Sequence, residues 1–372
     1  MADQNSQLSF MLDLYSKLFD DLSQRWPLLV KTFASDRLTL VNRSLCEGLS
    51  FLTKTLPKLG KAIDQALETG IFIRPKEFKP YGRQEIPAFL SGILKCLFDH
   101  VGSLRSGFNV GLLRDVRQIL FLVYKAELPY KKSLETSVIN DFRKTDSLLS
   151  ELSLDINDPV LVKSTRIIAG LFKSFDPKEI TPGHGPGAVA TGERGNAKWS
   201  FKRLYANIHS FYPYYEYFMV AGRGSLVDSI GWYRSLERLP SGTAKVVLVP
   251  KDSRGPRLIS AEPLEYQYVQ QGLSRKLVQY LETHRLTRGF VNFRKQTVNQ
   301  ELALCSSITR EYATLDMKDA SDRVSLALVR TLWSKSPKML AALEATRSSH
   351  TLLPCGEVIA LNKFAPMGSA LC

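Results

Sequence analysis

The stretch "YATLDMKDASDRVSLALV", residues 312–329, sets three aspartates within seven positions, in a chain that is otherwise strongly basic. "YATLDM" reads as an apolar strand, and the residues after it as a helix whose buried stripe is Val324, Ala327, Leu328 and Leu332. Asp316 falls near the strand end, and Asp322 lies six residues on, in the first helical turn. A strand that turns straight into a helix holds both carboxylates at one rim. Carboxylates are the right donors for Mg²⁺, which binds few protein oxygens and takes the rest of its shell from water and phosphates. Helix capping accounts equally well for Asp319, Ser321 and Asp322, because helix N-termini favour such residues. Asp316 lies too early to cap, and a lone charge at a half-buried strand end is costly. Spacing alone leaves both readings open.

The rest of the chain narrows the choice of partner. Its 372 residues exceed the size at which single cores stop growing, about 250 to 300 residues, so two or more packed regions are expected. Lysine and arginine outnumber acids 50 to 36, a formal charge of +14, which points to a polyanion, and to nucleic acid before a membrane. No apolar run approaches the roughly 18 to 20 residues a membrane helix needs, and the N-terminus lacks a signal-peptide pattern. Cys46, Cys96, Cys305, Cys355 and Cys372 share no metal-binding spacing, which suits a reducing cytosol and argues against zinc.

Residues 1 to about 175 read mainly as helix. In "LSFMLDLYSKLFDDLSQRW", Leu12, Tyr15, Leu18, Phe19 and Leu22 recur at the spacing of one helical face. Asp176 and Pro177 close that region, and "TPGHGPGAVATGERGNAKW", residues 181–199, is too rich in glycine and proline for a regular element. The aromatic cluster "FYPYYEYF" follows at 211–218. "KVVLVP", residues 245–250, is a β-branched strand ended by proline, and "LEYQYVQQGLSRKLVQYLETH" is a long helix. Strands and helices mix without regular βαβ alternation, so the fold class is α+β.

Two further clusters carry chemistry. In "KVVLVPKDSRGPRLISAEP", residues 245–263, Lys251, Arg254 and Arg257 follow a strand at three-residue intervals, with Gly255 and Pro256 shaping the turn. Several cations there can converge on one anion, and arginine matches phosphate oxygens two at a time. An ordinary solvated basic loop has the same composition. In "KFAPMGSALC", residues 363–372, Gly368, Ser369 and Ala370 are small enough to let backbone approach a ligand closely, as they are in a plain turn.

The order of these blocks adds what each lacks alone. A basic "VPK…R…R" turn, then "DMKDASD", then "FAPMGS" resembles motifs F, A and B of RNA-dependent RNA polymerases, and most nearly the replicases of the levivirus-like single-stranded RNA bacteriophages. The "EP" at Glu262 and Pro263, the "NQ" at Asn299 and Gln300, the "RSS" at Arg347 to Ser349 and "HGPGAVATGE" at 184–193 fit the same pattern. The resemblance covers residues 181–372. Over 1–180 it rests on helical character and position only.

The resemblance implies a right-hand polymerase fold: a helical N-terminal region over 1–180, fingers over 181–308, and an incomplete palm beginning at 309. It implies that Asp316 is a ligand of two catalytic Mg²⁺ ions and that Asp322 senses the ribose 2′-hydroxyl. Lys251, Arg254 and Arg257 would hold the nucleotide triphosphate, and Gly368 and Ser369 would begin a flexible loop beneath the nascent base pair. Asp319 is given no metal role. The implied partners are template and product RNA, ribonucleoside triphosphates and host translation factors, in the cytoplasm of an infected bacterial host. One departure stands out: no Gly-Asp-Asp triplet, the family's motif C, occurs in the sequence, so this chain alone is expected to be inactive. The competing functions are a reverse transcriptase, which usually has an aromatic residue where this chain has Asp322, and a non-catalytic RNA-binding protein.

Overall fold

The computed structural model describes residues 2–127, 130, 132–219, 226–252 and 255–372, with only the backbone at 2–5 and 226–227. Two compact units are formed, one of Met1–Leu134 with Pro250–Pro256 and one of Glu135–Val249 with Arg257–Cys372.

Among the described residues the first unit holds the α-helices α1 (Ala2–Arg25), α2 (Val30–Glu47), α3 (Leu56–Thr69), α4 (Ser91–Leu97) and α5 (Val110–Phe121). The stripe expected on α1 is buried at Tyr15, Leu18, Phe19 and Leu22. α5 begins where the Asn109 side chain accepts from the Gly111 N–H, and it buries Leu112, Val116, Ile119 and Leu120 at helical spacing. Gly60 on α3 admits the Phe121 ring, since a Cβ there would lie 2.3 Å from it. Asp115, buried in α5, is satisfied by the Arg25 guanidinium at 2.8 Å and the Trp26 indole N–H at 2.8 Å.

The second unit mixes helices and strands. In chain order it contains α6 (Ser133–Ser150), α7 (Pro159–Leu171), β1 (Arg203–Tyr205), α8 (Ala206–Phe211), α9 (Tyr214–Tyr217), α10 (Leu226–Ser235) and β2 (Glu237–Leu239). Then come β3 (Thr243–Asp252) and β4 (Gly255–Ala261), of which residues 250–252 and 255–256 are assigned to the first unit, and α11 (Leu264–Thr283), α12 (Thr297–Thr309), α13 (Leu326–Leu332), α14 (Pro337–Ala345), β5 (His350–Leu352) and β6 (Val358–Ala360). One sheet has the order β4-β3-β5-β6, with β3 parallel to β5 and β5 antiparallel to β6. A short second sheet pairs β1 with β2 in parallel. The α+β class is met.

The aromatic cluster at 211–218 supplies core residues: Tyr212, Tyr214 and Phe218 are buried with Tyr266, Val269 and Leu273 of α11, while Tyr215 is exposed. The N-terminal half of α11 is buried on every side, polar Glu265, Gln267 and Gln270 included.

Three local expectations fail. "KVVLVP" forms β3 and alternates as a strand should, with Ala244 and Val246 buried, but the strand runs past Pro250 to Asp252. "YATLDM" is not a strand. Residues 310–317 have no ladder partner among the described residues, and Tyr312, Leu315 and Met317 are 66%, 87% and 77% exposed. Strand propensity without a partner leaves backbone groups to water, so the segment stays irregular. The expected stripe on the next helix is also wrong: α13 buries Val329, with Leu326 and Trp333 packed beside it, while Val324 is exposed. A single 3₁₀ turn, Ser321–Arg323, comes first, and the N-cap is Ser325, whose hydroxyl accepts from the Leu328 N–H. Asp319, Ser321 and Asp322 therefore cap nothing.

Candidate active site

The end of β4 and the loop after β6 are joined through buried polar groups. The Ser260 N–H donates to the Met367 carbonyl at 2.7 Å, and the Ser260 and Thr351 hydroxyls are 3.0 Å apart. Glu262 is buried and accepts from the Ser348 hydroxyl. Burial pushes the Glu262 carboxyl up, and its bonds to Ser348 and Gln270 oppose that rise. Gln270 donates to the Thr346 carbonyl at 2.6 Å and accepts from the Ala370 N–H at 3.2 Å. Arg347 gives three hydrogen bonds, to the carbonyls of Phe364 (3.1 Å), Leu361 (3.1 Å) and Lys363 (3.0 Å). The "EP", "RSS" and "FAPMGS" blocks thus share one network.

Gly368 is fixed by that network. Its φ is +123°, a region that L residues rarely adopt, and a Cβ would lie 2.3 Å from the Ser260 carbonyl oxygen. Ser369, nearly buried, has its N–H bonded to the Pro366 carbonyl.

The aspartate-rich segment meets the same loop at its far end. The Leu326 N–H donates to Asn362 and the Phe364 N–H to Val324, both at 2.8 Å, so Ser325 stands opposite Lys363. The Lys363 ammonium reaches Asp322 Oδ1 at 3.2 Å. Asp319 has φ +53° and lies 4.0 Å from the exposed Lys318 ammonium. Asp316 is exposed, which removes the argument that its charge sits at a half-buried strand end. Among the described residues no group of three His, Cys, Asp or Glu side chains is placed to hold a metal ion. Asp316 offers the donor class that Mg²⁺ takes, but as a single carboxylate.

Lys251 and Arg257 are exposed, with no ion pair to either among the described residues. Arg254 lies outside the described residues. The glycine-rich segment runs along α11: the Gly183 N–H donates to the Tyr268 carbonyl at 3.1 Å, and Arg275 donates to the Thr181 carbonyl at 2.7 Å. Cβ atoms at Gly183 and Gly185 would lie 2.8 and 2.9 Å from the ends of Arg275 and Gln271, so these glycines permit the close approach. Buried Lys198 closes the loop by donating to the carbonyls of Gly185 (2.8 Å) and Gly187 (2.6 Å). His184 sits among the rings of Trp199, Phe201 and Tyr268, and burial lowers its pKa to about 4. It is a neutral packing residue at ordinary pH. The Ala190 N–H then donates to the Glu262 carbonyl at 2.8 Å, tying this segment to the network above.

Residues 138–371 match the family described as RNA replicase, beta-chain. The chain belongs to that family. The match begins within α6, well before the glycine-rich segment, so this replicase family region includes helices that helical character alone did not assign. Among curated relatives, the RNA-directed RNA polymerase subunit beta of Qbeta virus (strain MX1) is 34% identical over 125 residues, which is 34% of this chain and 20% of that protein. The RNA-directed RNA polymerase beta chain of Escherichia phage MS2 is 31% identical over 125 residues, 33% of this chain and 21% of that protein. The corresponding protein of Enterobacteria phage GA is 22% identical over 255 residues, 66% and 46% of the two chains. The chain spans about a fifth of the length of the first two. Among the described residues no helix is long and apolar enough to cross a membrane.

Lys363, Asp146, Arg347 and Gln270 were not singled out for roles from sequence. Their only signals were adjacency to "FAPMGS" for Lys363 and membership of "RSS" for Arg347.

Proposed function

We propose that this chain carries the nucleotide-incorporating region of an RNA-directed RNA polymerase that copies a viral RNA genome. The observation that carries the reading is the shared network: Ser260 and Glu262, Arg347 and Ser348, and the 361–370 loop are hydrogen-bonded to one another. A backbone pair then joins that loop to the aspartate-rich segment through Val324 and Phe364. Blocks more than 80 residues apart in sequence converge around one loop.

In this reading the fold is a right hand, with fingers over 181–308 and a palm beginning at 309. Template RNA and ribonucleoside triphosphates are the substrates, and a 3′-hydroxyl attacks the α-phosphorus while pyrophosphate leaves. Lys251, Arg254 and Arg257 bind the triphosphate; Lys251 and Arg257 are exposed cations, and guanidinium groups match phosphate oxygens two at a time. Asp322 accepts a hydrogen bond from the ribose 2′-hydroxyl. Gly368 and Ser369 support the new base pair on a loop whose base is anchored to Ser260. A divalent metal is the general expectation for a polymerase, and Mg²⁺, when bound, supplies positive charge to phosphate oxygens. Asp316 is proposed as one of its ligands.

The test is primer extension on an RNA template by a replicase of the relatives' length carrying this region. Templated incorporation of ribonucleotides supports the reading. RNA binding without incorporation would favour a non-catalytic RNA-binding protein, and incorporation of deoxynucleotides in preference would favour a reverse transcriptase.

A further inference from the structure

Lys363 is fully buried, an expensive place for an ammonium group unless it is paired. Its Nζ lies 3.2 Å from Asp322 Oδ1, 3.8 Å from Asp146 Oδ1 and 3.6 Å from the centre of the Phe142 ring. Burial lowers its pKa, and the two carboxylates oppose that fall.

The two aspartates are employed differently. Asp146 of α6 spends its oxygens on the loop backbone, accepting from the Asn362 N–H (3.0 Å), the Asn362 side-chain amide (3.1 Å) and the Lys363 N–H (3.1 Å). It would remain satisfied without the ammonium. Asp322, whose side chain is 16% exposed, receives the Lys363 ammonium and no other donor among the described residues. One of its oxygens is therefore left for a ligand. The backbone of Lys363 is held near the aspartate-rich segment, because Lys363 and Ser325 stand opposite one another between flanking backbone hydrogen bonds.

A purely structural need would be met as well by apolar residues at both 363 and 322, since replacing a whole buried ion pair by apolar residues of similar volume is often neutral or stabilising. We propose that Lys363 is a positioning residue for sugar selection: it clamps one oxygen of Asp322 so that the other meets the ribose 2′-hydroxyl. The proposal rests on the role given to Asp322 in the polymerase reading. It also gives Asp322 and Asp316 different tasks, since the carboxylate held by an ammonium is the poorer metal ligand.

The experiment compares Lys363→Met, which keeps the stem over Phe142, with Lys363→Arg, which keeps the charge, in a replicase of the relatives' length. The reading is the ratio of kcat/KM for a ribonucleotide to that for its deoxy analogue. In Lys363→Met the ratio should fall roughly tenfold or more, because a site built to bond a hydroxyl loses discrimination once the acceptor is displaced. Deoxynucleotide incorporation should stay close to wild type, and Lys363→Arg should fall between. Equal losses for both nucleotides, with an unchanged ratio, would overturn the proposal and leave the lysine a packing residue. Should Lys363→Met fail to fold, Lys363→Arg decides, a lowered ratio supporting the proposal and an unchanged one refuting it. A wild-type protein that incorporates neither nucleotide would remove the polymerase reading, and this proposal with it.

Discussion

Gly368→Ala should be costly out of proportion to the one methyl group it adds. The new Cβ would sit 2.3 Å from the Ser260 carbonyl oxygen and 2.9 Å from Ile259 Cγ2, where ordinary contacts begin near 3.4 Å. The φ of +123° is strained for alanine by about 1–3 kcal/mol. Relief requires residues 367–369 to move off β4, which breaks the 2.7 Å bond from the Ser260 N–H to Met367, a further 0.5–1.5 kcal/mol or so. The expected loss is about 1.5–4.5 kcal/mol, followed by urea denaturation. Gly356→Ala is the control, because Gly356 also has positive φ, +90°, but open space around its Cβ, so it carries the backbone strain alone. Hydrogen exchange should show the Ser260 amide losing protection in Gly368→Ala and not in Gly356→Ala. If both variants unfold within about 0.5 kcal/mol of each other with Ser260 still protected, the close packing of this loop on β4 is wrong.

Arg257→Ala should lower the use of nucleotide roughly tenfold to a hundredfold, the worth of one charged hydrogen bond, with Lys251→Ala acting in the same direction. An equal loss of template affinity in both would mark the segment as part of an RNA groove. Burial lifts the Asp36 carboxyl from 3.8 to about 7, against the pull of its hydrogen bond from Leu90. The folded chain keeps a proton there that the unfolded chain releases, so stability should fall as pH rises from about 4 to 7. Asp36→Asn should therefore gain on wild type over the same window, pH about 4 to about 7, in thermal melts, and a constant difference would contradict the assignment. The +14 charge should make RNA binding by residues 1–372 weaken steeply between about 50 and 200 mM salt in filter assays, and flat affinity would undo the electrostatic argument.

What the sequence discloses is mostly local. The α1 stripe, the α11 helix and the strand at 245–250 each depend on a residue's own neighbours, whereas the need for glycine at 368 comes from the Ser260 carbonyl far away in the chain. The segment 312–317 misled because its strand character required a partner strand, and propensity does not supply one. The α13 stripe shifted because Val324 is held by the backbone of Phe364, which turns it out of the helix. Lys363 was invisible as a site residue because its partners Asp322 and Asp146 are 41 and 217 residues away. Motif order along the chain pointed to the family where single motifs did not, while the network that joins the motifs could be seen only in three dimensions.

The most direct test of the polymerase reading is Asp316→Asn in a replicase of the relatives' length, assayed for templated ribonucleotide incorporation with magnesium and, in parallel, for RNA affinity. Asp316 is exposed and outside the buried network, so the substitution should not disturb folding. Incorporation should vanish while RNA affinity stays within about twofold of wild type, since a carboxylate makes no attractive phosphate contact. Incorporation at the wild-type rate would contradict it and move the catalytic centre away from residues 312–329.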